Sequence, residues 1–237
     1  MAEPILLTED NDGVRILTFN RPDKRNALDS ELTFALVEAI EKAEAEESVC
    51  AVIMTGAGPA FSAGADMREF RDREDDTASL SKARSAAFRK LLRMIGEMRL
   101  PVVAAVNGFA LGGGCALAFA CDMILAAESA SFGYPEIRHE FTAAGVVPDL
   151  VRQVGRKTAF EMIMTGRAFS PEETLRLGVI NRVLPDDKLA EEALALGRLF
   201  AGYDENALQR MKRILHEVAD LPVADGIARV DGLKEQN

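Results

Sequence analysis

The stretch "NGFALGGGCALAFACD", residues 107–122, sets three glycines in a row and then runs into an apolar segment. Glycine inside regular structure costs about 0.5–1 kcal/mol against alanine. Gly112, Gly113 and Gly114 therefore call for a reason. Either two backbones approach closely there, or amides are left bare for a ligand. A dinucleotide-binding turn needs G-x-G-x-x-G, and Leu117 takes the last position. A P-loop needs a following Lys-Ser/Thr pair, which is missing, and no G-x-S-x-G elbow occurs. What remains is geometric. "PVVAAVNG" reads as a buried strand, and a helix begins near Gly114. The first amides of a helix have no internal partner and carry the positive end of its dipole. With no side chains in the way, they can hold an oxyanion. Tight packing alone is the competing reading.

A second glycine-rich turn, "GPAFSAGADMREF", follows the strand in "VCAVIMTGAG" as the first follows its own strand. Two such turns can bring two amides to one carbonyl oxygen. Around them the pattern alternates strand and helix. "GVRILTFNRP" puts Val14, Ile16 and Thr18 on one face and Arg15, Leu17 and Phe19 on the other. Asp29 reads as the N-cap of a helix striped by Leu32, Leu36, Ile40 and Ala43. "MREFRDREDD" reads as a surface loop, and a helix is expected over residues 78–98, before Pro101. "CDMILAAE" and "VINRVLP" read as strands, and "SFGYPEI" as a short extended piece ending in a turn. "SPEETLRLG" carries a capping box from Ser170 to Glu173. Beyond Asp187 only helices are expected, up to residue 219, followed by a polar tail. Strands interleaved with helices argue α/β.

The chain has 237 residues, 48% of them hydrophobic, and a formal net charge of −10. That charge disfavours nucleic-acid binding, which wants a basic face, but not a small anion held by a few local cations. No membrane-spanning run and no signal peptide are evident, so a soluble cytoplasmic protein is expected. Cys50, Cys115 and Cys121 are expected to be reduced and buried. His139 and His216 share no ligand spacing with them, so no metal site is expected.

"NRPDKRNAL", "FSAGADMREF", "VNGFALGGGCALAFACD" and "SFGYPEI" stand in the order and spacing of the enoyl-CoA hydratase/isomerase family, the crotonase superfamily, which the chain resembles over residues 14–184. The resemblance implies a spiral of β-β-α units with two roughly perpendicular sheets, a core over residues 1–188 and a C-terminal helical segment over 189–237. It implies an acyl-CoA substrate, with coenzyme A as part of it and no separate cofactor. Two backbone N–H groups would hold the thioester oxygen: Ala65, just after Gly64, and Gly113. Ala63, Gly64, Gly112 and Ala27 would frame the substrate, and Lys24 and Arg25 would lie near the CoA phosphates. It also implies a homotrimer or a dimer of trimers. The chain ends early for the family, so shortened closing helices are expected.

Hydratases of this family carry two glutamates. One position is Ala116 here, which has no proton chemistry; the other, in "FGYPEI", is Glu136. Adding water across a double bond needs base and acid on neighbouring carbons, whereas moving the bond needs one base serving twice. The expectation is therefore double-bond isomerisation by Glu136. The alternatives are a hydratase using Glu136 with or without Glu140, and a CoA-ester-binding protein without chemistry. Glu140 is the candidate second acid or base; His139 reads as solvated. Asp122 reads as structural. Met67, Phe70, Leu92, Phe141 and Met162 read as core rather than pocket lining.

Overall fold

The computed structural model describes residues 3–71 and 75–234, with side chains for all of these except 70, 71, 75–79 and 234. In chain order the elements are β1 (Leu6–Asn11), β2 (Val14–Phe19), α1 (Ser30–Ala45), β3 (Ala51–Gly56), β4 (Ala60–Ser62), α2 (Arg68–Arg71), α3 (Asp75–Glu97), β5 (Val102–Val106), β6 (Phe109–Leu111), α4 (Gly113–Phe119), β7 (Met123–Ala127), β8 (Ser131–Gly133), α5 (Val147–Thr165), α6 (Pro171–Arg176), β9 (Arg182–Leu184), α7 (Leu189–Ala201), α8 (Glu205–Val218) and α9 (Val223–Lys234). A large sheet runs β1-β2-β3-β5-β7-β9 and a small one β4-β6-β8. All pairs are parallel except β1 with β2. Each unit lays one strand in the large sheet, turns, lays one in the small sheet, and leaves by a helix. Three units, β3-β4, β5-β6 and β7-β8, repeat this step and build the expected spiral.

The two-residue periodicity of the strands splits the core. Leu17, Phe19, Val52, Met54, Val102 and Ala104 face the helices and pack on Leu32, Leu36, Ile40, Leu91 and Ile95. Val14, Ile53, Val103, Ala105 and Leu125 face the other way and are covered by Leu189, Ala193 and Leu196 of α7. Asp29 caps α1 by accepting from the Leu32 amide at 2.9 Å. The Ser170–Glu173 capping box starts α6 as expected.

The structure adds one element to the sequence reading and corrects three others. β1 was not legible as a strand: "LLTEDN" is an exposed edge, so no apolar face marks it. The segment read as a surface loop contains α2, and Glu69 of that helix accepts from the amide and hydroxyl of Ser30; residues 72–74 of the segment lie outside the described residues. The polar tail forms α9, packed on α8. Cys50 is half-buried, whereas Cys115 and Cys121 are buried; all three are free thiols. Among the described residues no helix is long and apolar enough to cross a membrane.

Helix α8 docks on α3 and the residues just before β5 through Lys212, beside the Glu205–Arg99 ion pair at 2.6 Å. Lys212 Nζ donates to Asp122 Oδ2 at 2.7 Å, to the Leu100 carbonyl at 2.7 Å and to the Ile95 carbonyl at 2.9 Å. Asp122 Oδ2 also accepts from the Val102 amide at 2.7 Å, which bears out its structural reading. The lysine side chain is only 9% exposed. Lys212→Met removes the cation and strands a carboxylate that is only partly in water. The expected loss is roughly 2–3 kcal/mol, below the range for fully buried pairs; urea unfolding of both proteins measures it.

Candidate active site

Every proposed chemical group stands just past the C-terminal end of a small-sheet strand. Ala65 follows β4, Gly113 follows β6, and Glu136 follows β8 in a short 3₁₀ turn, Pro135–His139. Because β4, β6 and β8 are parallel neighbours, their ends lie side by side, the usual place for a site in an open α/β sheet.

The glycine triplet has a separate reason at each position. A Cβ on Gly114 would lie 2.3 Å from the Ser62 carbonyl oxygen, so the start of α4 presses directly on the end of β4. Gly112 has φ +53° and ψ −122°, a conformation closed to other residues. A Cβ there would also sit 2.6 Å from Glu136 Oε1, so the carboxylate rests on bare backbone. Gly113 is the first residue of α4 and its amide has no partner among the described residues. Ala65 matches it. The Leu28 amide donates to Gly64 O at 2.8 Å and the Asp66 amide to Leu28 O at 3.1 Å, which turns the Ala65 N–H away from Leu28. A Cβ on Gly113 would lie 3.7 Å from the Ala65 nitrogen. Both residues line one cavity of about 180 Å³, with Leu28, Phe88, Leu92 and Val146 among its apolar walls.

Residues 20–28 hold the first turn in place. Asn26, buried and at φ +54°, accepts from the Arg21 amide and donates to the carbonyls of Ala57 and Ala60. Ser62 donates to Asn26 O at 2.8 Å, and the Ala63 amide to Arg25 O at 2.9 Å. Arg21 is itself held by Asp29 at 2.7 Å and Asp66 at 3.4 Å. Ala27 O accepts from the Arg21 guanidinium, the Gly64 amide donates to Ser62 Oγ at 3.2 Å, and the Gly112 amide donates to Gly133 O at 2.8 Å.

Glu136 is half-buried, and its Oε2 is shut from solvent with no hydrogen-bond partner among the described residues. Burial raises its pKa above the ordinary carboxylate value, against the pull of its own amide and of His139. An unpaired buried carboxylate is expensive, and such groups concentrate at functional sites. Beside it, burial pushes the Cys115 thiol up to about 12 and also raises the Tyr134 phenol, so both stay protonated and neither serves as a base.

The family model for enoyl-CoA hydratase/isomerase matches residues 9–233. The 2,3-dehydroadipyl-CoA hydratase of Escherichia coli K12 is 36% identical over 222 residues, 91% of this chain and 83% of that protein. The chain belongs to the enoyl-CoA hydratase/isomerase family. Among solved structures, an enoyl-CoA hydratase of Mycobacterium smegmatis superposes with TM-score 0.92 at 31% identity, over 99% of this chain and 91% of that one. A monofunctional enoyl-CoA isomerase of the same organism superposes with TM-score 0.79 at 29% identity, over 94% and 97%. The family and the α/β fold with two sheets are as expected from the four motifs.

Within the family frame, the remaining expected residues separate. Ala116 lines a second cavity of about 610 Å³, where it offers only a methyl group. Glu140 is exposed at the end of the 3₁₀ turn in a left-handed conformation at φ +62°, and His139 is exposed beside it. Lys24 and Arg25 are exposed on their loop, with the Arg25 guanidinium 5.8 Å from the Phe109 ring centroid. Met162 is core. Met67 and Phe141 are half-buried, and the Phe70 side chain lies outside the described residues. Leu92 corrects its reading, for it lines both cavities. The sequence reading passed over Phe88, Arg89 and Asn26. Ser85, Phe88, Arg89 and Leu92 share one helical face, a spacing that equally describes core packing. Asn26 had only its tolerance of left-handed backbone as a signal.

Glu136 sets a pH test. A buried acid with a raised pKa leaves stability unaffected where it is protonated in both states, and lowers it as pH rises through its folded pKa. Glu136→Gln is therefore expected to melt at the same temperature as wild type near pH 4, and at a higher one near pH 7.5; thermal scans at both pH values measure this.

Proposed function

We propose that the protein moves a carbon–carbon double bond along an acyl-CoA thioester, with Glu136 as the single base. The reading rests on one observation above the rest: the Glu136 carboxylate lies on Gly112, the residue before the Gly113 amide, while Ala116 presents no second carboxylate. The thioester oxygen accepts from the Ala65 and Gly113 amides. Glu136 takes a proton from the α-carbon of a 3-enoyl ester. The electron pair spreads over the α-carbon, the double bond and the oxygen, whose charge the two amides stabilise. One such donor is worth about 3–4 kcal/mol of barrier. Glu136 returns the proton at the γ-carbon, leaving a conjugated 2-enoyl ester and the carboxylate as it began. A raised pKa suits this work, because the base must hold the proton and then release it. The chain supplies every group this transfer needs.

Hydration is the second reading. The Escherichia coli relative, named for a hydratase reaction, favours it. There Glu136 would activate water and then deliver the proton itself.

Two substrates separate these reactions. With 3-enoyl-CoA, conjugation is expected to appear as new thioester absorbance. With 2-enoyl-CoA, loss of that absorbance by hydration is expected to be slower by at least about tenfold. Glu136→Gln should lower isomerisation by roughly 10²–10⁴-fold, the usual contribution of a positioned acid–base group. A variant as active as wild type would remove Glu136 from the mechanism. Faster hydration than isomerisation would decide for the hydratase.

A further inference from the structure

One face of α3 forms a wall common to two cavities. Phe88, Arg89 and Leu92 line the one at the Ala65 and Gly113 amides. Arg89, Leu92, Arg93 and Gly96 line the second, whose opposite side carries Ala116 and Tyr134. The two meet at Arg89, Leu92, Gly145 and Val146. An acyl chain leaving the amides along α3 therefore passes Leu92 and enters the second cavity. The first holds about 180 Å³, enough for a short apolar segment, and the second about 610 Å³.

The walls change character along this path. Around the amides they are mainly apolar. Beyond Leu92 the lining carries Arg89, Arg93 and Arg152 against Asp122 and Asp149. Arg93 is paired with Glu97, Arg152 with Asp220, and Asp122 with Lys212. Asp149 acts on the buried Tyr134 only through its charge, helping to raise the phenol pKa. Arg89, exposed on α3, has no ion pair among the described residues and stands where the cavities join. The other charges on this path balance one another, so Arg89 is the cation there with no carboxylate partner among the described residues. A hydrocarbon end placed here would displace water from charges and give nothing back. A carboxylate end would meet a guanidinium whose planar fork fits it.

Resting on the acyl-CoA reading above, the geometry points to an acyl group that ends in a carboxylate, with Arg89 as the residue that selects it. The selection acts on binding, so it can be measured apart from the chemistry. The probes are two saturated six-carbon acyl-CoA esters, one ending in a methyl group and one in a carboxylate. Titration calorimetry on the wild type is expected to give at least about tenfold tighter binding of the carboxylate-ended ester, as for a lost charged hydrogen bond. Arg89→Gln should bring the ratio close to one by weakening that ester, and Arg89→Lys should restore part of it. Equal binding of the two esters by wild type overturns the inference. So does an Arg89→Gln variant that weakens both equally, which would place Arg89 on the CoA phosphates. Failure of both esters to bind would instead bring down the acyl-CoA reading and the inference with it.

Discussion

The backbone contact between Ser62 and Gly114 governs the rest of the structure. A carbonyl at the end of one short strand presses on the first turn of a helix that follows its neighbour, at a distance only glycine permits. That contact brings the turn after β4 against the turn after β6. Ala65 and Gly113 then share a cavity wall, each with its amide unspent among the described residues. α4 has only seven residues, so the two fixed N–H groups matter more than any helix dipole. Positioned main-chain donors of this kind need no reorganisation when charge develops.

Glu136 shows what the site asks of the fold. Its carboxylate sits on the bare Cα of Gly112, with one oxygen shut from water and without a hydrogen-bond partner among the described residues. The surrounding protein must offset this penalty, and the well-filled core between the large sheet and α1 and α3 does so. The carboxylate is poised because burial holds it less acidic than it would be in water. The same burial keeps Cys115 and Tyr134 protonated. Among these three groups, Glu136 alone has a carboxylate, and it lies against Gly112, the residue before the Gly113 amide.

Long, strongly patterned elements were legible. β2, α1, β3, β5, β7 and α6 follow from alternation, from the Asp29 cap and from the Ser170 box, since each buries a regular face or closes on its own residues. The short strands β4 and β6 read as turns. Three residues are too few to show a period, and their pairing partners lie about 20 to 50 positions away. The edge strand β1 and the helices α2 and α9 were missed for a related reason: they expose most of their residues or lean on a distant group, as α2 leans on Ser30.

The sequence by itself determined which groups are present. It carries glycines where side chains would clash, a glutamate after "FGYP", and alanine at position 116. Those are matters of residue identity, and the four ordered motifs were enough to place the chain in its family. Only the tertiary structure decided which of those groups meet. Proximity of Ala65 to Gly113, and of Glu136 to Gly112, depends on three parallel strands stacking in register. The place of Arg89 and Leu92 on the cavity walls likewise follows from which face of α3 turns toward the cavities, because a helical stripe reads the same whether it meets a core or an open space.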